Sequence, residues 1–177
     1  PVKLEGFLKA MAGTQNGNFF TLAEKFDFTK RGTVCDVGGA SGAFSIAVAR
    51  RHPSARCISF DLPEVEPIAR RNIEAAGVSD RVKVQSGNFF KDPLPKAEVI
   101  TMGNILHDWG LQQKKALIKK VYEALPEKGC FIAVENVIDD DRRGNAFGLM
   151  MSLNMLIETE DGFDYTGEQF RTWCLEA

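Results

Sequence analysis

A short apolar run that ends in a glycine-rich turn, residues 34–42, constrains the fold of this chain more than any other stretch. A helical pattern follows at once, over residues 43–50. Strand, glycine-rich turn and helix in this order are typical of an α/β sheet that presents backbone N–H groups to a nucleotide-like ligand. Gly38 and Gly39 can adopt positive φ and let a ligand approach the backbone. Asp36 would place a carboxylate in the same crevice.

The spacing of the glycines argues against two common phosphate-binding loops. The dinucleotide fingerprint G-x-G-x-x-G, counted from Gly38, needs glycines where Ala40 and Ala43 stand, and counting from Gly39 also fails. The loop G-x-x-x-x-G-K-[ST] fails because no lysine follows Gly42. An acidic residue two positions before the first glycine suits a cationic or amine-bearing ligand better than a pyrophosphate. A tight turn without a ligand is the competing interpretation.

Composition excludes several classes of function. The 177 residues suffice for one domain with a sizeable core. The net charge of −2 gives no general field for nucleic acid or a membrane surface, and no apolar run is as long as a membrane span. The four cysteines form no C-x-x-C pair, which favours buried free thiols over disulfides or a metal site. We therefore expect a cytoplasmic protein that binds neither nucleic acid nor a membrane.

Five short strand-like segments alternate with helical patterns along the chain. Strands are predicted at residues 33–37, 56–60, 82–85, 98–102 and 129–134, and helices at 2–12, 19–26, 42–51, 64–76, 111–125 and 145–158, with a break at 13–18 and a cap for a further helix at Thr166. The lysines of helix 111–125 are expected on its outer face. This alternation predicts a mostly parallel sheet with helices on both faces, which binds ligands beyond the carboxyl ends of its strands.

Polar side chains stand at the ends of three predicted strands. Asp61 is placed to accept hydrogen bonds from ribose hydroxyls. His107 follows the fourth strand, where an imidazole suits general-base work, and Glu135 beyond the fifth strand would fix its tautomer. A structural histidine that caps the next helix, with Asp108 as N-cap, is the competing interpretation. The other histidine, His52, lies in an Arg-His-Pro helix end and is expected to be solvated.

Four segments carry a resemblance to a known family. They are residues 36–42, 60–63, 87–90 and 105–109, which read DVGGASG, FDLP, GNFF and ILHDW. In this order they resemble the S-adenosylmethionine-dependent O-methyltransferases of the caffeate and hydroxyindole type, which include plant phenylpropanoid and bacterial polyketide enzymes. The resemblance runs along nearly the whole chain, and His-Asp-Trp is its most specific part. It implies a Rossmann-like class I methyltransferase fold with S-adenosyl-L-methionine as cofactor.

The resemblance also implies roles for individual residues. The implied cofactor contacts are Asp36 toward the methionine ammonium, Gly38, Gly39, Asp61 on the ribose, Leu62 and Phe89 against the adenine, Asn88 as an acceptor for the adenine amino group, and Asn104. His107 matches the catalytic base and Glu135 a flanking acid. Asp164 stands where many relatives carry the longer Glu as a second flanking acid. The implied substrate contacts are Met11, His107 and Asp108.

The implied reaction moves a methyl group to a hydroxyl of a small aromatic molecule. A phenol has a pKa of about 10, so it is mostly protonated at neutral pH and a base would help its attack. No metal is required, and the acidic run at residues 139–141 is interpreted as solvated surface. Three alternatives stay open: a family member that binds the cofactor without methyl transfer, a regulatory or dimerisation module, and a nicotinamide-dependent dehydrogenase, which the failed fingerprint disfavours.

The domain organisation is expected to be that of a longer protein. Residues 1–30 form a helical segment that leads into a methyltransferase domain at 31–177. Sheets of this family carry seven strands, so the last two are expected to be missing. An N-terminal helical domain outside this chain would provide homodimer contacts and part of the substrate pocket. Apolar surface is then expected to be exposed on helices 2–12 and 145–158.

Overall fold

The computed structural model describes residues 2–177, with side chains from Lys3 onward. Five strands form one sheet in the order β3-β2-β1-β4-β5, and β2 pairs in parallel with both β1 and β3. The strands are β1 Thr33–Val37, β2 Arg56–Asp61, β3 Val82–Ser86, β4 Val99–Gly103 and β5 Cys130–Val134. The helices are α1 Val2–Lys25, α2 Ala43–Arg51, α3 Glu66–Ala75, α4 Leu111–Ala124, α5 Ala146–Glu158 and α6 Gly167–Glu176, with 3₁₀ helices at Phe28–Lys30 and Leu106–Asp108. The predicted parallel α/β fold is confirmed.

The chain divides into two compact units. The first comprises Pro1–Thr101 with Ala124–Ile132, and the second Met102–Glu123 with Ala133–Ala177. In the first unit, β1 is buried from Val34 onward because its apolar residues continue on both faces, as expected for an interior strand. The core of this unit gathers the buried side chains of Phe28, Val34, Phe44, Val48, Ile73 and Val99.

The second unit fixes the loop that precedes α6 from both sides. Thr166 caps α6 with a capping box: its side chain accepts from the backbone N–H of Gln169, and the Gln169 side chain accepts from the N–H of Thr166. The backbone N–H of Asp164 donates to Ser152 Oγ of α5 at 3.1 Å. The carbonyl oxygen of Tyr165 accepts from the N–H of Ile138 at 2.9 Å. The predicted cap at Thr166 is confirmed.

The predicted break at residues 13–18 is wrong, because α1 is one continuous helix from Val2 to Lys25. A glycine inside a helix costs only about 1 kcal/mol relative to alanine, and this stretch contains no proline. Packing of the C-terminal half of the helix offsets that cost: the rings of Phe19 and Phe44 lie 5.4 Å apart. Every other predicted helix or strand boundary differs from the structure by two residues or fewer.

The expectation that His52 is solvated is also wrong. Its ring is buried, and Nε2 lies 2.7 Å from the carbonyl oxygen of Ala23 in α1. The ring also packs 5.4 Å from that of Phe28. The histidine that ends α2 therefore connects it to α1.

Apolar side chains are exposed on α5, as expected for residues 145–158. Phe147, Met150, Leu153, Leu156 and Ile157 are each more than three-fifths exposed. On α1 the expectation holds for Phe7, which is 60% exposed, but Leu8 is buried. No helix within residues 2–177 combines the length and the apolar character that crossing a membrane requires.

Candidate active site

The glycine-rich turn after β1 differs from the expectation in one respect. The N–H groups of Gly38 and Gly39 both donate to the carbonyl oxygen of Phe60, at 2.8 and 3.2 Å, so they are already engaged within the protein. Gly38 has φ of 74°, which suits glycine. A Cβ on Gly39 would overlap Ser59 Oγ and lie 3.1 Å from the carbonyl oxygen of Asp36. These glycines therefore permit a tight turn, and their N–H groups are not presented to a ligand.

Asp61 is held by the backbone on both sides of its carboxylate. Oδ2 accepts from the N–H of Ala40 and Oδ1 from the N–H of Leu62, both at 2.7 Å. Burial raises the pKa of Asp61, and the two N–H donors act against that rise. Each oxygen has a further lone pair, so the carboxylate can accept hydrogen bonds from vicinal hydroxyls. The Leu62 side chain next to it is 41% exposed and offers an apolar surface.

Asp36, at the end of β1, is a buried acid with one internal donor. Its Oδ1 accepts from Thr101 Oγ at 2.8 Å. Burial raises the pKa of Asp36 to about 7, the Thr101 hydrogen bond lowers it, and the charge of Asp61 raises it. Burial thus favours the neutral carboxyl group, and a nearby cation would favour its charged form.

Asn88 makes a local turn that the sequence does not reveal. Its Oδ1 accepts from the backbone N–H groups of Phe90 and Lys91, at 2.9 and 3.3 Å. The acceptor that the resemblance assigns to the adenine amino group is thus already in use. The half-buried ring of Phe89 lies 4.9 Å from that of Phe90. Met11 lies half-buried on α1 in the same unit.

The second unit brings His107 together with three acids. His107 Nδ1 lies 3.4 Å from Asp164 Oδ1 and 3.9 Å from Glu135 Oε2, while Nε2 lies 3.3 Å from Asp108 Oδ1. The side chains of His107, Glu135 and Asp164 are at most 5% exposed, whereas Asp108 is 42% exposed. One imidazole nitrogen of His107 and one carboxylate oxygen each of Glu135 and Asp164 all lie within 4.8 Å of one another. Asn104 precedes this turn in left-handed conformation, with φ of 51°.

Glu135 fixes the turn that carries the histidine. Its Oε1 accepts from the N–H groups of Ile105 and Leu106, at 3.2 and 2.9 Å, at the start of the 3₁₀ helix that contains His107. Its other oxygen, Oε2, faces the imidazole. The carboxylate thus binds the backbone of the turn with one oxygen and approaches the ring with the other.

The acidic groups of this cluster favour a protonated His107 imidazole. Burial alone would lower the pKa of His107, but Asp164 and Glu135 outweigh it, so the pKa is raised. Burial raises the pKa of Glu135 to about 7, and the His107 charge opposes that rise. With two carboxylates at Nδ1, the neutral imidazole would carry its proton on Nδ1 and leave Nε2 as an acceptor. The arrangement can accept a proton at Nε2 and stabilise the imidazolium that results.

Two residues of these environments escape prediction from the sequence. Thr101 lies inside an apolar strand, and no local signal identifies its hydroxyl as a partner of Asp36. Lys114 is buried, which contradicts the expectation that the lysines of α4 lie outside. A signal did exist, because Lys114 stands three and four residues before the buried Leu117 and Ile118, on the inward stripe of the helix.

Comparison with known proteins identifies the family. A model of the O-methyltransferase domain matches residues 3–177. The tetracenomycin polyketide synthesis 8-O-methyl transferase TcmO of Streptomyces glaucescens is 39% identical over 177 residues, which cover 100% of this chain and 52% of TcmO. The chain spans about half the length of the curated relatives it matches.

Solved structures show the same fold. Human N-acetylserotonin methyltransferase in complex with SAM has a TM-score of 0.89 at 28% identity. The matched region covers 98% of this chain and 49% of the human chain. An O-methyltransferase family 2 protein from Planctomyces limnophilus in complex with apigenin has a TM-score of 0.87 at 31% identity and covers 98% of this chain and 55% of its own. Because the family model matches residues 3–177, the chain belongs to the O-methyltransferase family.

Proposed function

We propose that the protein is an S-adenosylmethionine-dependent O-methyltransferase that acts on a hydroxyl of a small aromatic molecule, with His107 as general base and no metal ion. The observation that carries the proposal is the buried imidazole with carboxylates 3.4 and 3.9 Å from Nδ1, in a chain of this family. The names of the relatives support the reaction type, since TcmO is an 8-O-methyl transferase of polyketide synthesis.

The residues of the first unit fit S-adenosylmethionine. The human neighbour is a complex with SAM. Asp61 would accept hydrogen bonds from the ribose hydroxyls, because both of its oxygens are already oriented by backbone donors. Asp36 would balance the ammonium group, and the exposed face of Leu62 would pack on the adenine. When bound, the cofactor supplies an activated sulfonium methyl group. The Gly38 and Gly39 N–H groups and Asn88 Oδ1 are already engaged within the protein. Recognition of the cofactor would therefore depend on the side chains of Asp36, Asp61 and Leu62.

His107 would act on the acceptor hydroxyl. Neutral imidazole takes the hydroxyl proton at Nε2, while the proton on Nδ1 stays between Asp164 and Glu135. The two carboxylates then stabilise the imidazolium. General-base assistance of this kind contributes roughly 10²–10⁴-fold. Asp108, half-exposed and 3.3 Å from Nε2, would contact the substrate beside the base.

The cellular setting is proposed from coarser support. We expect a cytoplasmic homodimer whose contacts include an N-terminal domain outside this chain. The four cysteines are free thiols, consistent with a reducing compartment. The curated relatives are about twice as long as the chain, which leaves room for such a domain. Light scattering on the full-length protein would measure its oligomeric state.

The function is tested by methyl transfer in the full-length protein. S-adenosylmethionine is incubated with a panel of phenols, and methylated product and S-adenosylhomocysteine are quantified by mass spectrometry. We expect transfer that His107→Asn reduces by about 10²–10⁴-fold while calorimetric affinity for S-adenosylhomocysteine is retained. EDTA should leave the rate unchanged. Normal turnover in His107→Asn would contradict the base, and binding without transfer would favour the alternative of a cofactor-binding module.

A further inference from the structure

Lys114 is a buried cation that the proposed reaction does not use. Its side chain is 0% exposed, and a lysine is almost never fully buried unless it is paired. Nζ donates to the carbonyl oxygen of Trp109 and lies 3.6 Å from the centroid of the Phe163 ring, with the Tyr165 ring at 5.9 Å. The ammonium is thus held by one carbonyl and by aromatic faces, an arrangement that favours the charged form.

The contacts of this ammonium join the two segments that build the base. Trp109 lies two residues after His107, at the end of the same turn, and Phe163 directly precedes Asp164. One side chain from α4 therefore contacts residues next to both members of the buried pair, Nδ1 of His107 and Oδ1 of Asp164, which lie 3.4 Å apart.

The charge of Lys114 also lies among carboxylates. Burial lowers the pKa of Lys114 to about 8, and the charges of Glu135, Asp164, Asp161 and Asp108 oppose that change. The ammonium therefore offsets part of the negative charge of these acids. Three of the four, Asp108, Glu135 and Asp164, also approach the imidazole.

We propose that Lys114 is a positioning residue for the His107 base: it ties the loop of Asp164 to the turn of His107 and offsets the negative charge around the imidazole. The inference rests on the proposed role of His107 as base. It concerns how the proton on the imidazole is held, and it can be tested without substrate or cofactor.

Loss of the Lys114 charge should change the pKa of His107 in a definite direction. The groups that face the imidazole are Asp108, Glu135 and Asp164, and Glu158 acts on Asp108. Removing a positive charge near them favours the imidazolium, so the pKa of His107 rises and less neutral base is present at pH 7. A shift of about 0.5–1 pH unit is expected for the loss of one charge in a partly buried site. A residue that acts only through packing would not produce it.

The test is a ¹⁵N NMR titration of the imidazole groups in the full-length protein. His107→Asn assigns the signal of His107. Lys114→Met removes the ammonium, Lys114→Arg keeps a cation that can also stack on Phe163, and Lys119→Met removes the same charge from the exposed face of α4. We expect the midpoint of His107 to rise in Lys114→Met, to stay within about 0.2 pH unit of the wild type in Lys119→Met, and to return toward it in Lys114→Arg.

The outcomes separate the two roles. An unchanged midpoint in folded Lys114→Met, or an equal rise in Lys119→Met, would overturn the inference. If Lys114→Met loses the native spectrum, Lys114→Gln replaces it with a neutral side chain that keeps an N–H donor, and the same rise is expected. Loss of the fold in both neutral variants would assign Lys114 a purely structural role and would equally overturn it. Absence of methyl transfer would leave the titration result valid, so failure of the proposed function is distinguishable.

Discussion

Asp61 allows the sharpest test at the scale of single residues, because two backbone N–H groups fix its carboxylate before any ligand binds. We expect Asp61→Ala to weaken S-adenosylhomocysteine binding by at least about tenfold, since hydrogen bonds to a charged group contribute about 1.5–3 kcal/mol each. Calorimetry measures the affinity. Asp80→Ala, which removes the same charge from an exposed site, is the matched control. Equal affinity in the two variants would contradict the ribose contact.

The proposed contact of Asp36 with the cofactor ammonium predicts that binding releases protons. Burial holds the pKa of this acid at about 7, so part of the population is neutral at pH 7. A ligand ammonium favours the ionised form, so binding should release protons and affinity should increase as pH rises toward 7 and above. Calorimetric enthalpies in phosphate and Tris at pH 7 should therefore differ. The difference should vanish in Asp36→Asn, and its persistence there would move the proton release to another group.

At the scale of elements, replacing a glycine should have opposite effects on stability in α1 and in the turn after β1. A Cβ on Gly17 would meet nothing within 4 Å, and the residue lies inside a helix. Gly17→Ala should therefore raise the free energy of unfolding by about 0.5–1 kcal/mol. Gly39→Ala should lower it, because its Cβ overlaps Ser59 Oγ. Urea denaturation of both variants decides; a stabilised Gly39→Ala would show that the turn has room.

The strands were predictable because each is a short apolar or alternating segment closed by turn residues, which is local information. The continuity of α1 was not, since it depends on contacts such as that of Phe19 with Phe44, which no local pattern encodes. His52 fails for the same reason: the carbonyl oxygen it contacts belongs to Ala23, 29 residues earlier. Glycine and proline statistics describe how readily a helix is interrupted. They do not include the tertiary packing that keeps it continuous.

The grouping of His107 with acidic residues was predictable from the sequence, but the hydrogen bonds of the other candidate residues were not. The family motifs identify Asp61 and His107, and the structure places acids around the latter. The engagement of the Gly38 N–H by Phe60, and of Asn88 Oδ1 by its own loop, follows from backbone geometry that residue types do not specify. The buried Lys114 shows that helical periodicity can be more informative than charge.

At the scale of the whole molecule, buried acids in both units should determine how stability depends on pH. Burial raises the pKa of Asp36 and of Glu135 to about 7 each, and the pKa of His107 is also raised. The folded state therefore binds these protons more tightly than the unfolded state. Their contribution to stability is complete below about pH 4 for the acids and is lost as pH rises through about 7.

A second set of acids acts at lower pH and with the opposite sign. Hydrogen bonds lower the pKa values of Asp27, Glu66 and Asp139, so the stability they contribute is lost as pH falls below their usual range. We expect the free energy of unfolding in urea to be greatest in mildly acidic buffer and to decrease between pH 5 and 8. Asp36→Asn and Glu135→Gln should each flatten that decrease. A rise in stability over this interval would contradict the burial argument.

The loop before α6 has a consequence for the energetics of the proposed reaction. Hydrogen bonds to Ser152 and Ile138 and the capping box at Thr166 fix the backbone on either side of the Asp164 side chain. These backbone contacts and the burial of the side chain limit the movement of Asp164 when the imidazole gains charge. In the proposed reaction, part of the reorganisation that water would undergo around a newly formed cation would then be completed during folding.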